Sequence, residues 1–544
     1  MARASRYNQE LIDRNFSNGF WQRTTFYDLL LRNASAFPEK EAVSDSSLRL
    51  TWTSLKQRIE RLALGLINAG LKKDELVVVQ LPNSVELFAV RLACEAAGLL
   101  CLPVLRTYRH KEMFYILDYT KAAAVIVPSR YRDFDYQDMI KKMQPGLPEL
   151  RLLFTTGTES GSGFISLEQM SQKPLENLYP REYLKTTRCP PTEFSLVLLT
   201  SGTTGLPKFV ENPVCATMLR DRAIMEILKI GEEDVIGVFF PAAGGANARA
   251  YYGSIIVGAR VVMMEHFDPA EALKLIEKER ITIAPLVPAQ LIMMARHPEL
   301  SRYDLRSLRQ VLVTGAALPY EVALECQQKF KCCLIPNYSS IDCSVGCVGS
   351  PSDPVEVRLR TVGKPFGEGE LKIVDEHGNE VPQGEIGEIM LRGPAGASGY
   401  YRDPEATRQA WSPDGWFRMG DLGKIHESGN LMLLGRKKDI IIRGGQNIYP
   451  IEIENLLSNH PSISAVAVVG MPESVMGEKA CAYVVPKQGL SFSFEEMILF
   501  LKNIGIAPFK MPERLEIIDR LPYVAGGQKI DKAVLRQDII NKLV

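Results

Sequence analysis

Along the first half of the chain, short β-branched runs alternate with longer stretches of helical spacing. Val77-Val78-Val79-Gln80-Leu81 is one such run, closed by Pro82-Asn83. From Ser84 to Ala97, Val85, Phe88, Ala89, Leu92 and Ala93 fall on one helical face, and Gly98 ends the pattern. Leu99 to Val104 and Ala123 to Val127 read as further strands, and Val235–Phe240, Arg260–Met264, Ile281–Leu286 and Val311–Thr314 continue the series. This alternation predicts a largely parallel sheet with helices on both faces. In open α/β sheets ligands gather beyond the carboxyl ends of strands, which marks Gly315, Ala316 and Ala317 as site-lining candidates.

After about residue 355 the pattern changes. Leu371 to Val374 and Gly387 to Leu391, with the turn-like Glu376-His377-Gly378-Asn379 between them, predict antiparallel strands. A third unit begins near residue 438. Pro450 opens a helix carrying Ile453, Leu456 and Leu457, and strands Ala465–Val469 and Ala480–Val485 follow. Ser493-Phe494-Glu495-Glu496 forms a capping box before Met497-Ile498-Leu499. Residues 438–544 therefore read as a small α+β domain after a large domain over 1–437. The Gly/Ser/Thr-rich stretch Thr155 to Gly163 reads as a surface loop.

At 544 residues the chain exceeds the usual size of one core, in keeping with two or more domains. Its 64 basic residues balance 64 acidic ones, and no long basic run appears, which argues against a nucleic-acid partner. The N-terminus lacks the apolar core of a secretory signal, and no window reaches the ~18 uninterrupted apolar residues of a membrane span. Ten scattered cysteines do not resemble a disulfide framework and fit a reducing cytoplasm. Cys332-Cys333, and Cys343 with Cys347, lack the spacing of a structural zinc site and read as packing residues. The six histidines form no HExxH pattern, and no G-x-S-x-G elbow is present, so histidine–metal and serine-nucleophile chemistry have no visible basis.

The strongest local signal is Leu199-Thr200-Ser201-Gly202-Thr203-Thr204-Gly205-Leu206-Pro207-Lys208, directly after the strand-like Ser195-Leu196-Val197-Leu198. Glycines let backbone N–H groups turn toward an anion, hydroxyls donate further hydrogen bonds and lysine adds charge. Such a loop suits a polyphosphate. It is not a Walker A loop, because Phe209 follows the lysine where Ser or Thr belongs.

With this loop the sequence resembles the adenylate-forming superfamily: acyl- and aryl-CoA synthetases, stand-alone aryl-acid adenylating enzymes, peptide-synthetase adenylation domains and firefly luciferase. The resemblance runs from roughly residue 25 to 540, and Val77 to Asn83 with Pro103-Val104-Leu105 look closest to stand-alone dihydroxybenzoate–AMP ligases. It implies an α/β fold, with a large N-terminal domain of doubly covered mixed and parallel sheets plus a β-barrel-like subdomain. A small mobile α+β C-terminal domain follows.

It also implies roles for individual residues. Thr200, Ser201, Gly202, Thr203, Thr204 and Lys208 would hold the phosphates; Gly315, Ala316, Ala317, Asn337, Tyr338 and Ser339 would line the nucleotide. Tyr338-Ser339-Ser340-Ile341-Asp342 stands where the family has Tyr-Gly-x-Thr-Glu. Asp342 would bind Mg²⁺, although Ile341 cannot supply the usual hydroxyl and Asp342 is one methylene short. Asp421, in Gly415-Trp416-Phe417-Arg418-Met419-Gly420-Asp421, would accept the ribose hydroxyls. Arg436 would contact ribose and phosphate, Lys438 would be the hinge, and Gly444-Gly445 would admit pantetheine. Lys529, in Gly526-Gly527-Gln528-Lys529-Ile530, would be the catalytic lysine. The acid pocket would be formed by Ala243, Gly244, Gly245, Gly315 and Ser340, where the family's aromatic or histidine gate is missing.

The resemblance thus implies an AMP-forming acid–CoA ligase that uses ATP, Mg²⁺ and coenzyme A on a compact cyclic or aromatic acid. The reaction is expected to be reversible toward ATP synthesis, and a homodimer is compatible with the resemblance. Gly444 to Pro450 resembles the Gly-Gly-Glu-Asn-x-Tyr-Pro of CoA ligases. The alternatives are a stand-alone aryl-acid adenylating enzyme that loads a carrier protein, and an AMP-binding regulator without chemistry.

Overall fold

A computed structural model of the chain describes residues 6–157, 161, 163–200, 207–240, 245–444, 446–524 and 529–543, without the side chains of 245–249. The β-branched runs form strands, and the runs with helical spacing form the helices between them. The result is a mixed α/β protein with a large N-terminal sheet domain and a smaller C-terminal domain.

Among the described residues the first large sheet has eight strands. Phe194–Leu199, Leu100–Pro103, Leu76–Val79, Ala124–Pro128, Leu152–Thr156 and Phe164–Ser166 run parallel in that order. Phe209–Pro213 and Gly399–Tyr400 close the other edge antiparallel. The second sheet has nine strands. Its parallel centre comprises Cys333–Ser339, Gln310–Val313, Ile283–Leu286, Val235–Val238, Arg260–Met263 and Glu41–Ser44, with antiparallel strands at both ends. Because both faces are covered, alternate residues of one strand enter different cores: Val77 and Val79 one, Val78 the other.

Helix Val85–Ala96 packs on strands Leu100–Pro103 and Phe194–Leu199 and against helices Phe26–Ala36 and Trp52–Asn68, in one core that also takes in Val43, Ile236 and Val261 of the second sheet. Ser84 caps it by accepting from the Leu87 amide. The one-sided apolar pattern understates its burial, because neighbouring helices, with Tyr27 at Glu95 and Tyr251 at Phe88 and Arg91, cover the face that periodicity assigns to water. Every residue from Leu87 to Ala96 is buried, Arg91 and Glu95 included. Burial pushes the Glu95 carboxyl up to about 7, despite hydrogen bonds from the Tyr27 amide at 3.0 Å and the Ser195 hydroxyl at 3.4 Å.

Beyond these sheets, Glu370–Val374, Gly387–Arg392, Phe417–Ile425 and Leu431–Arg436 form an antiparallel sheet, in line with the expected change of pattern. The last sheet joins Gln446–Ile448, Ile441–Arg443, Gly477–Pro486 and Ile463–Glu473, with Arg514–Ile517 added in parallel. Its two long strands present Val466 and Val468 to helices Pro450–Leu457 and Phe494–Ile504. They present Ala467 and Val469 to helix Lys532–Leu543. The capping box at Ser493 and Glu496 is present.

One expectation is corrected. Thr155 and Thr156, read as loop, end strand Leu152–Thr156, and the buried Thr155 hydroxyl accepts from Gln137 at 3.0 Å. β-Branched threonines beside Leu152-Leu153-Phe154 fit a pleated sheet better than a turn. Among the described residues no helix is long and apolar enough to cross a membrane.

Candidate active site

Strand Phe194–Leu199 is buried throughout and pairs antiparallel with Phe209–Pro213, so Thr200 and Lys208 stand at the end of a strand pair rooted in the large sheet. Thr200 and Lys208 close its neck: the Thr200 amide donates to the Lys208 carbonyl at 3.0 Å, and the Lys208 amide to the Thr200 hydroxyl at 3.1 Å. The Lys208 ammonium sits 4.5 Å from the centroid of the Tyr400 ring. Ser201, Gly202, Thr203 and Thr204 lie outside the described residues.

Two neighbouring strands of the second sheet end beside each other, with Val313 in register with Pro336. Past the first, Gly315 takes a φ of +91°, and an added Cβ would stand 3.3 Å from a Val287 methyl. Ala316 and Ala317 are exposed beyond it. The second strand carries Asn337, Tyr338 and Ser339, and the Asn337 amide donates to the Thr314 hydroxyl at 3.1 Å. Gly315, Ala316, Ala317, Asn337, Tyr338 and Ser339, six of the residues expected to line the nucleotide, therefore share one rim of carboxyl ends.

Asp342 follows on the next turn, half-buried. Its Oδ1 accepts from the Tyr400 hydroxyl at 2.8 Å and its Oδ2 from Ser340 Oγ at 3.0 Å. Ser340, expected in the acid pocket, thus bonds the carboxylate. Ile341, the departure from the family pattern, packs against two apolar cores. Its position is a packing contact here rather than a polar one. Tyr400 was not singled out from sequence; the Gly399-Tyr400-Tyr401 run after Ser398 was the available signal.

Asp421 and Arg436 are cross-strand partners in the antiparallel sheet, with Arg436 Nε 3.0 Å from Asp421 Oδ1. Tyr338 reaches over from the nine-stranded sheet and donates to Asp421 Oδ2 at 2.5 Å. Burial raises the Asp421 carboxyl, opposed by Arg436, by the Tyr338 hydrogen bond and by Lys529. The carbonyl of the half-buried Lys529 accepts from the Val524 amide at 2.9 Å. Burial depresses its ammonium and Arg436 repels it, while Asp421 and Asp342 favour its charge. A lysine from the C-terminal part of the chain thus stands in the field of both carboxylates, more than 80 residues away in sequence.

Among the described residues no three His, Cys, Asp or Glu gather into a metal cluster. A single oriented carboxylate nonetheless fits Mg²⁺, which is commonly held by one or two carboxylates plus substrate phosphates and water. An apolar cavity of about 20 Å³ adjoins this rim, lined by Met225, Ile236, Ala250, Ile283, Leu312 and Thr314. Thr314 places it next to Gly315. Gly245 opens helix Gly245–Val257, while Ala243 and Gly244 lie outside the described residues.

Residues 30–401 match the AMP-binding enzyme family, and residues 452–527 match the AMP-binding enzyme C-terminal domain. The chain belongs to this adenylate-forming family. It is 30% identical over 547 residues to a 2,3-dihydroxybenzoate-AMP ligase of Bacillus subtilis (strain 168), covering 98% of this chain and 97% of the relative. It is 33% identical over 547 residues to a medium-chain fatty-acid–CoA ligase of Escherichia coli (strain K12), covering 99% and 94%. In structure it is similar to ATP-bound MatB from Rhodopseudomonas palustris, with a TM-score of 0.84 at 26% identity over 95% of this chain and 99% of that one.

In this AMP-binding enzyme the expected hinge is tethered on both sides. The Lys437 ammonium and the Arg418 guanidinium both donate to Glu388 Oε2, at 2.9 and 2.7 Å, on the antiparallel sheet. Arg536, from the last helix, donates to Asp439 Oδ1 at 2.8 Å and to the Lys438 carbonyl at 3.4 Å. The exposed Lys438 side chain lies between these two anchors. Gly444 turns the hairpin between Ile441–Arg443 and Gln446–Ile448 with a φ of +55°. Its amide donates to the Met476 carbonyl at 2.8 Å, and an added Cβ would stand 2.6 Å from the Met476 methyl. The space beside Gly444 is therefore filled by a flexible side chain; Gly445 lies outside the described residues. Cys332, Cys343 and Cys347 are buried free thiols, and burial pushes Cys343 up to about 12, as packing residues should behave.

Proposed function

We propose that this enzyme joins a carboxylic acid to AMP at the expense of ATP and then transfers the acyl group to coenzyme A. The single observation that carries the reading is that Lys529 lies within electrostatic reach of Asp421, Asp342 and Arg436. In the first step a carboxylate oxygen bonds to the α-phosphorus of ATP, and the bond from that phosphorus to the bridging oxygen breaks, releasing pyrophosphate. Lys529 offsets the negative charge that gathers as acid and phosphate approach. Thr200, Ser201, Gly202, Thr203, Thr204 and Lys208 hold the phosphates; Asn337, Tyr338, Ser339, Gly315, Ala316 and Ala317 line the nucleotide. Asp421 accepts from the ribose and Arg436 braces it. Asp342 holds Mg²⁺, which when bound neutralises polyphosphate charge. Much of the rate comes from alignment, since no side-chain nucleophile takes part.

In the second step the thiol gives up its proton, its sulfur bonds to the acyl carbon, and the bond from that carbon to the AMP phosphate oxygen breaks, releasing AMP. We take residues 1–437 and 438–544 as the two domains, turning about Lys438 so that the Gly444-Gly445 hairpin replaces Lys529 at the rim. Such a turn gates the reaction. The exposed linker between its Glu388 and Arg536 anchors supports this reading.

The acid is a compact, mainly apolar ring acid, bound among Ala243, Gly244, Gly245, Gly315 and Ser340. The name of the Bacillus relative, a ligase of an aromatic acid, supports a ring acid. Coenzyme A is favoured by the Gly444 to Pro450 motif and by the likeness to a CoA ligase over nearly the whole chain. A second reading, aryl-acid adenylation for a carrier protein, is favoured by the likeness to the dihydroxybenzoate-AMP ligase, which also spans nearly the whole chain. A chemically silent regulator is disfavoured by the placement of Lys529. Ten free cysteines fit a reducing cytoplasm.

A panel of carboxylic acids scored for AMP release, with and without coenzyme A, tests these readings. CoA-dependent AMP release supports the ligase. ATP–pyrophosphate exchange that ignores coenzyme A supports the carrier-loading reading. Cleavage of ATP to ADP, or no cleavage with any acid, overturns both.

A further inference from the structure

Three parts of the nucleotide rim come from distant stretches of sequence and meet on one buried side chain. Tyr400 is 2% exposed. Its hydroxyl donates to Asp342 Oδ1 at 2.8 Å, and its ring carries the Lys208 ammonium 4.5 Å from the centroid. Its backbone pairs with Val210 on the strand that leaves the phosphate loop, only two residues past Lys208. The same tyrosine therefore touches the carboxylate at one end and the phosphate-loop lysine at the other.

The surroundings leave this ring little freedom. The Tyr400 amide donates to Thr407 Oγ1 at 2.9 Å, and the ring packs on Trp411 at a centroid distance of 5.3 Å. The loop that delivers it is tied to the N-terminal segment. Trp21 Nε1 donates to the Pro394 carbonyl at 2.9 Å, the Tyr7 hydroxyl to the Gly396 carbonyl at 2.9 Å, and Arg6 Nε to the Ala397 carbonyl at 2.7 Å. A ring fixed from behind in this way presents its hydroxyl at a set place.

That place matters for Asp342. Each carboxylate oxygen has two lone-pair directions. Tyr400 and Ser340 each occupy one, on opposite oxygens, so the carboxylate is held in a single orientation with the remaining lone pairs available to a cation. Aspartate reaches one methylene less far than glutamate, which leaves less slack to correct a misdirected carboxylate.

We propose that Tyr400 is a positioning residue of the ATP site: its hydroxyl orients Asp342 toward Mg²⁺, and its ring face seats Lys208 beside the triphosphate. The inference rests on the reading of Asp342 as the metal carboxylate given above. It goes beyond that reading by assigning the metal's contribution to a second side chain, and by separating the work of the hydroxyl from that of the ring.

The two halves can be read apart by ATP binding to the full-length protein, measured calorimetrically in EDTA and again in excess MgCl₂. Neither measurement needs the acid. Tyr400→Phe keeps the ring and removes the hydroxyl. Its affinity in EDTA should match the unaltered protein, while the gain produced by Mg²⁺ should shrink by about tenfold, as for loss of other partners that orient a metal ligand. Asp342→Asn should lose the same gain, and the double variant should lose no more than either alone. Tyr400→Leu, which also removes the ring, should weaken binding in EDTA as well, because Lys208 loses its seat.

A Tyr400→Phe protein with the full Mg²⁺ gain overturns the proposal, as does one weakened equally in EDTA and in MgCl₂. Failure of Tyr400→Phe to fold, read from its melting curve, makes the residue structural and overturns it too. If the unaltered protein binds no ATP in either condition, the proposed function itself falls and takes this inference with it. If the unaltered protein binds ATP and Asp342→Asn keeps the Mg²⁺ gain, only the assignment of Asp342 and Tyr400 falls.

Discussion

Tyr338 donates its phenolic hydrogen to Asp421 across 2.5 Å, joining the end of a strand in the nine-stranded sheet to the middle of a strand in the antiparallel sheet. Asp421 also faces Arg436 at 3.0 Å. Two neighbours thus fix one carboxylate that burial alone would push toward neutrality. The carboxylate is oriented before any ribose arrives.

Replacing that charge should weaken nucleotide binding without removing the chemistry. Asp421→Asn is expected to raise the KM for ATP on the order of 10–100-fold, the usual size of a lost hydrogen bond to a charged group, with a smaller change in kcat. Initial rates of AMP formation against ATP concentration check this. A fall confined to kcat would count against the ribose assignment.

Lys529 should act on the step and not on the binding. Lys529→Ala is expected to lower adenylate formation by at least about 10²–10³-fold while ATP still binds. The charged ammonium is the working form, and burial with Arg436 lowers its pKa from the ordinary 10.5. Activity should therefore be lost, as pH rises, earlier than for an ordinary lysine. Exchange of pyrophosphate into ATP across pH would show this limb, and Lys529→Arg should move it upward in whatever activity remains. Unchanged adenylation in the alanine variant would refute the role.

Gly444 should matter to the thiol half alone. At φ +55°, any side chain brings strain of roughly 1–2 kcal/mol, and a Cβ there meets the Met476 methyl. Gly444→Ala is expected to slow CoA-dependent acyl transfer several-fold and leave ATP–pyrophosphate exchange intact. Equal loss in both half-reactions would point to misfolding of the small domain instead.

Glu95 provides a stability test away from the site. Its carboxyl is about 7 in the fold against 4.5 unfolded, so the folded chain holds more proton between those values. Stability therefore falls as pH rises through that window and is then level. The effect is on the order of 3 kcal/mol. Glu95→Gln never ionises. Its melting temperature relative to the unaltered protein should improve from about pH 5 to about pH 8. A difference independent of pH would mean that Glu95 is not buried as a neutral acid.

Much of the site was legible before folding because it is written in short segments. Thr200 and Lys208 bracket a run of glycine and hydroxyl residues that only an anion explains well, and Asp421 and Lys529 sit in equally local patterns. Alternation of Val77-Val78-Val79 with the Val85–Ala96 helix likewise announces a parallel sheet, since backbone pairing and side-chain period are local properties. The short range of these rules is also their limit. Helix Val85–Ala96 looks one-sided in sequence yet is buried from Leu87 to Ala96, because what covers its second face comes from helices Phe26–Ala36 and Trp52–Asn68 and from Tyr251, distant in sequence.

Local pattern was enough to announce the kind of chemistry: hydroxyls, glycines and a lysine in one loop, a carboxylate and a second lysine far downstream. It could not say that Tyr400 would stand between Lys208 and Asp342, or that Lys529 would face Asp421. Those pairs are separated by between 58 and 192 residues and share no periodicity. They exist because burying apolar faces forces separate sheets together at one rim, and the rim then chooses which polar groups become neighbours.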